Sequence, residues 1–179
     1  LMTLGSTPVI IVGAILYQTN LISHLRNIEI IAWTTLIFAI LLYFADKFKV
    51  NKKLNAKLDL KTIFVIGCFQ ILALIPGVSR SGIVITAGRF LKFDRYDSTK
   101  ISFYLSIPVI AGASFLGFKD LYKETTDFNS MILLTVLLSY FFSYFTIKYF
   151  LIFVKRFDLK LFVIYRVLLS VLLFNIIYF

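Results

Sequence analysis

The chain has 179 residues, of which 60% are hydrophobic and 17% aromatic, and its mean hydropathy is +0.91. Soluble globular domains hold about 45–50% apolar residues, so this composition excludes an ordinary water-soluble domain and places the chain among membrane proteins. The net charge of +10 would suggest a nucleic-acid partner only if the basic residues formed one face; they lie instead in short stretches between apolar runs, and no nucleic-acid partner is expected.

Five apolar runs have the length of transmembrane helices. A helix needs about 20 apolar residues to cross roughly 30 Å of hydrocarbon, and a backbone in lipid must satisfy its own hydrogen bonds. The first run begins at Leu1 without a basic leader, so we expect the chain to be a fragment that lacks the amino-terminal part of a longer protein. The five predicted spans are residues 1–17, 29–45, 101–118, 131–154 and 161–179.

A further apolar stretch, residues 62–91, is interrupted at its centre. Its first arm, residues 62–75, would reach only about 21 Å as a helix, and the sequence PGVSRSG follows it. Two short arms around a polar tip predict a re-entrant helix–loop–helix, which membranes tolerate where it is buried in protein or lines a cavity. The alternative is one long helix kinked at Pro76, which the glycines and polar residues of the tip disfavour.

The basic residues predict an orientation. Most of the 19 lysines and arginines lie near residues 47–61, 89–100 and 155–160, and few lie in the alternate loops. Basic loops stay in the cytoplasm, so these three lysine-rich loops are predicted to be cytoplasmic. Both flanks of the interrupted stretch are basic, so it must return to the side from which it started. Its tip should then point towards the outer half of the membrane.

The predicted fold is an all-α polytopic membrane protein with about five transmembrane helices and one re-entrant helix–loop–helix. Residues 1–179 are expected to form a single transmembrane domain, without a separate soluble domain or linker. Because inverted repeats are common in such folds, we expect half of an inverted-repeat architecture, although no second copy of the tip sequence occurs in these residues.

Arg80 is the residue that most strongly indicates a function. A guanidinium deep in a bilayer is costly, and a bound anion would offset that cost because the fork of arginine matches phosphate oxygens. The alternative is a structural ion pair with a carboxylate. All nine acidic residues, however, fall in loops or at the ends of spans, which favours an anion-binding role for Arg80.

Ser79 and Ser81 flank Arg80 at the predicted start of the second arm. One of them is expected to cap that helix, whose first N–H groups and partial positive charge also favour phosphate. Either hydroxyl could instead be a nucleophile or a hydrogen-bond donor to the ligand, but no nearby histidine or carboxylate in the sequence activates it. Gly77 and Gly82 would let the backbone approach the ligand closely.

Three other polar residues have ordinary interpretations. Lys148 and Arg166 lie inside the last two spans, within reach of the predicted cytoplasmic interface, and we expect both to snorkel to it. His24 lies in a predicted outer loop and is expected to be solvated.

The tip lies within a longer stretch that is similar to a known family signature. Residues 67–82, GCFQILALIPGVSRSG, resemble the signature of the bacitracin-resistance-type undecaprenyl-diphosphate phosphatases. The PGxSRSG core together with its GCFQ lead-in is fairly specific to that family. Further similarities, which extend in order over essentially the whole chain, are the LGSTP opening, the run from Ser102 to Pro108, and Tyr165-Arg166.

The resemblance implies hydrolysis of undecaprenyl diphosphate to undecaprenyl phosphate and inorganic phosphate in the bacterial cytoplasmic membrane. This reaction recycles the lipid carrier of peptidoglycan synthesis and is connected with bacitracin resistance. The partners would be a polyprenyl diphosphate and membrane lipid, and the resemblance leaves room for a homodimer. It further implies catalytic roles for Arg80, Ser79 and Ser81, substrate-binding roles for Pro76, Gly77, Gly82 and Gln70, and an active site that opens towards the outer face.

Two features of the family pattern are missing from these residues. The family also uses a Glu-rich amino-terminal motif with Ser and His on a matching re-entrant hairpin. The general base, and any Mg²⁺ or Ca²⁺ ligands, would come from that motif, so no metal ligand is expected here. In addition, Val84 stands where the family usually has Thr, and Thr86 lies about 200° further round a helix and is not expected to replace it.

Other classes of membrane protein fit part of the pattern. A transporter or flippase for a phosphorylated lipid or another anion also presents the amino terminus of a broken helix to its ligand, and it would bind the lipid without cleaving it. Membrane phosphatases of the acid-phosphatase type place a histidine six residues after the arginine, where this sequence has Thr86, so that class is disfavoured.

Overall fold

The computed structural model describes residues 1–19, 25–50, 59–121 and 130–178, so His24 lies outside the described residues. The elements there are helices, which confirms the predicted all-α class. In chain order they are α1 (Met2–Thr19), α2 (Ile28–Asp46), α3 (Leu60–Ile71) with a 3₁₀ turn at Leu72–Leu74, α4 (Arg80–Phe90), α5 (Arg95–Leu121), α6 (Ser130–Arg156) and α7 (Lys160–Tyr178).

Four of these helices are long and apolar enough to cross a membrane: α1, α2, α7 and the Met131–Arg156 part of α6. They coincide with four of the five predicted spans, and the chain is a multi-pass membrane protein. The fifth predicted span, residues 101–118, lies within α5, and its membrane crossing stays a prediction. Helix α6 exposes large apolar side chains such as Phe142, as a surface in contact with lipid requires.

The interrupted stretch breaks at the predicted position. Helix α3 and its 3₁₀ turn end at Leu74, α4 begins at Arg80, and residues 75–79 between them are not helical. The alternative of one long helix kinked at Pro76 is therefore wrong. The two arms pack against each other, while the re-entry of this pair into the membrane stays a prediction.

Helices α1 and α3 touch through their backbones. A Cβ atom on Gly67 would fall on the carbonyl oxygen of Gly5, so only glycine permits this approach. One residue further on, the Ser6 hydroxyl donates to the carbonyl of Leu105 in α5 over 3.1 Å. These contacts enclose an apolar cluster made of Ile63, Ile66, Val78, Ile83, Val84, Ala87, Phe93, Ile101 and Leu105.

Helices α2 and α7 form a second closely packed pair. The buried Ser170 hydroxyl donates to the Ala32 carbonyl over 2.9 Å, and the rings of Trp33 and Phe174 meet edge to face. The pair continues into a second apolar cluster, which joins α2 to α4, α6 and α7 and contains Ala39, Leu42, Ile85, Val154, Leu159 and Val163.

A charged cluster joins several helix ends at one end of the molecule. The buried Asp46 carboxylate accepts from Arg95 at 2.6 and 3.0 Å, and this hydrogen bonding raises the pKa of Arg95. Arg95 also pairs with Asp158 at 2.6 Å, and Arg89 donates to the Asp46 carbonyl at 2.7 Å. The ends of α2 and α4, the start of α5 and the α6–α7 connection therefore lie together, as the distribution of basic residues required.

Candidate functional site at the α3–α4 loop

Hydrogen bonds from α2 hold the loop between α3 and α4. Gly77 has a φ of +88°, and a Cβ there would overlap the Thr34 hydroxyl and lie 2.7 Å from the Ile31 carbonyl oxygen. Thr34 donates to the Pro76 carbonyl at 2.7 Å and Thr35 to the Gly77 carbonyl at 3.3 Å. The loop therefore needs glycine at one position and hydroxyls on the neighbouring helix.

The loop contacts α2 at Thr34 and Thr35, the seventh and eighth of its 19 residues. Thr34 precedes Asp46 by 12 residues, which is about 18 Å along a helix, so the loop is well separated from the charged cluster. If that cluster faces the cytoplasm, as the basic residues predict, the loop lies near the middle of the membrane, and its opening towards the outer half stays a prediction.

Ser79 is the amino-terminal cap of α4, as one of the two serines was expected to be. Its hydroxyl oxygen accepts from the Gly82 N–H at 3.1 Å and lies 3.3 Å from the hydroxyl of Ser81, which is exposed. The first N–H groups of a helix have no partner inside it, so those of Arg80 and Ser81 are available to a ligand. This end of α4 has the chemistry of an anion site.

Arg80 is partly buried, and its Nη1 donates to the carbonyl of Ser106 in α5 over a long 3.4 Å. Within the described ranges, no acidic side chain forms an ion pair with it. The guanidinium is thus neither fully solvated nor neutralised by a carboxylate that the structure describes. This environment agrees with an anion-binding role, which stays a prediction.

Arg166 does not snorkel, and that expectation was wrong. Its side chain is only 8% exposed, and Nη2 donates to the Gly77 carbonyl at 2.8 Å. The reason is the helix face: Arg166 is three residues after Val163 and four before Ser170, and all three lie on the buried side of α7. This helical spacing was the available signal, since it groups Arg166 with inward-facing residues.

A cavity of about 410 Å³ opens beside the loop, between α2 and α7. Ser79 and Arg166 contribute to its lining, together with Thr35, Tyr165 and apolar side chains. The guanidinium of Arg80, the first residue of α4, instead contacts Ser106 in α5, whereas the guanidinium of Arg166 in α7 contacts Gly77.

Gln70, a predicted substrate-binding residue, is fully buried. Neither its Oε1 nor its Nε2 has a hydrogen-bond partner among the described residues. A buried amide without a partner costs about 1–3 kcal/mol, so a group supplied by substrate or by residues outside the described ranges would stabilise it. Its role in substrate binding stays a prediction.

The position that departs from the family pattern belongs to the core. Val84 is buried in the apolar cluster, and the hydroxyl of Thr86 donates to the Gly82 carbonyl at 2.7 Å. The Thr86 hydroxyl is therefore engaged with its own helix, and the expectation that it does not replace a threonine at residue 84 stays a prediction.

The described part of the chain does not fit a divalent cation. No group of three His, Cys, Asp or Glu side chains there could hold a metal ion. Any such ligands would have to come from other residues, which remains the prediction from the family pattern.

We predict that Ser79→Ala destabilises the protein by about 1 kcal/mol, because it removes the cap of α4. Ser79→Asn should restore most of that loss, since asparagine also caps, and Ser81→Ala should change stability by less than about 0.5 kcal/mol. Thermal unfolding of the purified full-length protein in detergent measures all three. Equal losses for Ser79→Ala and Ser81→Ala would contradict the assignment of the cap.

The helices form a multi-pass membrane protein. Two arginines, Arg80 and Arg166, lie at the start of the short helix α4, which Ser79 caps. The family model for bacitracin resistance protein BacA matches residues 1–172. The chain belongs to this family.

Individual relatives agree with this assignment. The chain is 53% identical over 179 residues to an undecaprenyl-diphosphatase of Pelagibacter ubique, an alignment that covers 99% of the chain and 70% of that protein. It is 40% identical over 173 residues to one of Elusimicrobium minutum, covering 97% and 65%. It is 43% identical over 157 residues to one of Saccharophagus degradans, covering 87% and 59%. The chain thus spans between 59% and 70% of the length of these three relatives.

Proposed function

We propose that the chain is the larger part of an undecaprenyl-diphosphate phosphatase, which releases inorganic phosphate and leaves undecaprenyl phosphate. The relatives named undecaprenyl-diphosphatase support the reaction class. The observation that carries the proposal within this chain is Arg80, which lies at the start of α4 with no carboxylate partner in the described ranges.

The start of α4 would bind the diphosphate. The free N–H groups of Arg80 and Ser81 and the Arg80 guanidinium are fixed donors, and the apolar helix surfaces beside them suit the prenyl tail. In hydrolysis, the oxygen of water bonds to the terminal phosphorus, and the bridging oxygen leaves with the lipid monophosphate. Negative charge spreads over the equatorial oxygens in the transition state, and donors that are already oriented stabilise it without reorganising.

The chain leaves part of the chemistry to other residues. No described carboxylate forms an ion pair with Arg80, so we propose that residues outside the described ranges supply the general base and the ligands of any divalent cation. The proposed reaction does not depend on whether Ser79 or Ser81 forms a covalent intermediate or only donates a hydrogen bond. If Ser79 is a nucleophile, Ser79→Asn would be inactive despite its restored stability.

The same proposal includes a location. The protein would lie in the bacterial cytoplasmic membrane with its charged cluster at the cytoplasmic face and the α3–α4 loop opening outwards. There it would recycle the lipid carrier of peptidoglycan synthesis.

The deciding experiment measures phosphate release by the purified full-length protein. With undecaprenyl diphosphate in detergent micelles, we expect one inorganic phosphate for each undecaprenyl phosphate formed. A transporter or flippase would bind the lipid and release none, and that result would overturn the proposal.

A further inference from the structure

Another cavity, of about 420 Å³, opens at the end of the molecule that carries the charged cluster. It lies where α4 and α6 end and α5 begins, beside the residues that follow α2. Because α2 and the Met131–Arg156 part of α6 have the length of membrane spans, their ends reach a membrane surface whichever way the protein is oriented. The cavity therefore faces the layer of lipid headgroups. Its lining includes Val50, Arg89, Arg95, Tyr96, Val154 and Lys155.

Two lysines at this cavity lie over one aromatic ring. The ammonium group of Lys155 in α6 is 4.3 Å from the centre of the Tyr96 ring, and that of Lys100 in α5 is 5.0 Å from it. Among the residues that the structure describes, neither lysine forms an ion pair with a carboxylate. Two cations held near the same ring repel each other, so an anion that both could contact would stabilise the arrangement.

The carboxylates around the cavity are engaged elsewhere. Asp46 and Asp158 both bind Arg95. The Asp94 side chain, which also lines the cavity, accepts from a backbone N–H in the first turn of α5 at 2.6 Å. Arg89 is only 3% exposed, and its Nε has no hydrogen-bond partner in the described part of the chain, since the nearest Asp46 oxygen is 3.6 Å away. The cavity thus has cationic groups that the described carboxylates do not fully satisfy.

We propose that this cavity binds the phosphate of an anionic phospholipid through Lys100 and Lys155. Each ammonium group ends a flexible stem, so both can reach one phosphate. Val50 and Val154 provide apolar surface for the first carbons of the lipid chains, which a free phosphate would not need. The bound lipid would join the start of α5 to the end of α6. This inference is independent of the proposed function, because the cavity lies away from the α3–α4 loop.

The competing explanation is that the lysines only pack against Tyr96. A cation over an aromatic ring contributes to stability without any further ligand. Replacing the lysines would then lower the unfolding temperature equally in the presence and absence of anionic lipid. A lipid site predicts instead that the replacement removes the extra stability that anionic lipid confers.

The test compares purified full-length wild type with two double variants. One combines Lys100→Gln with Lys155→Gln, and the control combines Lys92→Gln with Arg156→Gln, which removes the same charge from exposed positions. Each protein in detergent micelles is titrated with phosphatidylglycerol, phosphatidylcholine or inorganic phosphate, and protection against thermal unfolding is measured. Loss of both lysine contacts should weaken the apparent affinity for phosphatidylglycerol by about 30-fold, whereas the control should change by less than about threefold.

Phosphatidylglycerol that protects wild type and the control, but protects the variant without Lys100 and Lys155 no better than phosphatidylcholine does, would support the proposal. Equal protection of all three proteins would overturn it, because general attraction to a basic surface would then explain the effect. Absence of protection in wild type would also overturn it. If inorganic phosphate protected wild type as well as phosphatidylglycerol does, the cavity would bind a soluble anion and the assignment to a lipid would be wrong.

Discussion

Hydrolysis of undecaprenyl diphosphate is expected to fall by about 10³-fold or more when Arg80 is replaced with alanine in the full-length protein. Arg80 would contact the phosphoryl oxygens, and arginines that stabilise charge in phosphoryl transfer are worth this much. The loss should appear in kcat, because the contact strengthens as charge develops in the transition state. Phosphate release from purified protein at saturating lipid measures it directly.

Two controls separate charge from folding. Arg80→Lys keeps a cation but not the bidentate fork, so its activity should lie between those of wild type and Arg80→Ala. The exposed Arg26→Ala should behave like wild type. Among the described residues, Arg80 forms a long hydrogen bond of 3.4 Å to the Ser106 carbonyl. Because little packing depends on a bond of that length, both Arg80 variants should fold. Near-wild-type turnover by a folded Arg80→Ala protein would remove Arg80 from the mechanism.

The features that the sequence predicts are those set by local rules. Apolar runs of membrane length became helices because a backbone in lipid must satisfy its own hydrogen bonds. The break before Arg80 follows from Pro76 and Gly77, and Gly77 adopts a φ of +88° that favours glycine. The Ser79 cap is equally local, since a hydroxyl just before a helix accepts from its first turn.

The features that the sequence did not predict depend on contacts between distant segments. Arg166 reaches Gly77 across 89 residues, and Asp46 meets Arg95 across 49. Helical spacing groups Arg166 with Val163 and Ser170 on one face of α7, but only the packing of α7 on α2 shows that this face is buried. The hydroxyls of Thr34 and Thr35 are similar cases, because nothing near them in the sequence marks them as partners of the loop.

The family signature itself divides into two parts once the contacts are known. Its PGxSRSG core forms the loop and the start of α4, whereas Gly67 in the GCFQ lead-in and Gly5 in the LGSTP opening meet at the α1–α3 contact. Gly67 of the signature thus serves helix packing, whereas Gln70 of the same lead-in stays a predicted substrate-binding residue. A loop held between neighbouring helices keeps its geometry only while those helices stay in place.

Gly67→Ala is therefore expected to cause the largest loss of stability, about 3 kcal/mol or more. The added methyl group would fall on the carbonyl oxygen of Gly5, and a backbone atom cannot rotate away as a side chain can. Helices α1 and α3 would have to separate, which opens the apolar cluster beneath them. Thermal unfolding and the yield of monodisperse protein in detergent measure the effect.

Gly112→Ala in α5 is the matched control. A Cβ atom there meets nothing within 4 Å, and alanine favours a helix over glycine by up to about 1 kcal/mol. The control should thus be as stable as wild type or slightly more stable, although it makes the same chemical change within a helix. If Gly67→Ala matched Gly112→Ala in stability, the close approach of α1 to α3 would not exist in the folded protein. The loop geometry would then have to be held by α2 and α7 alone.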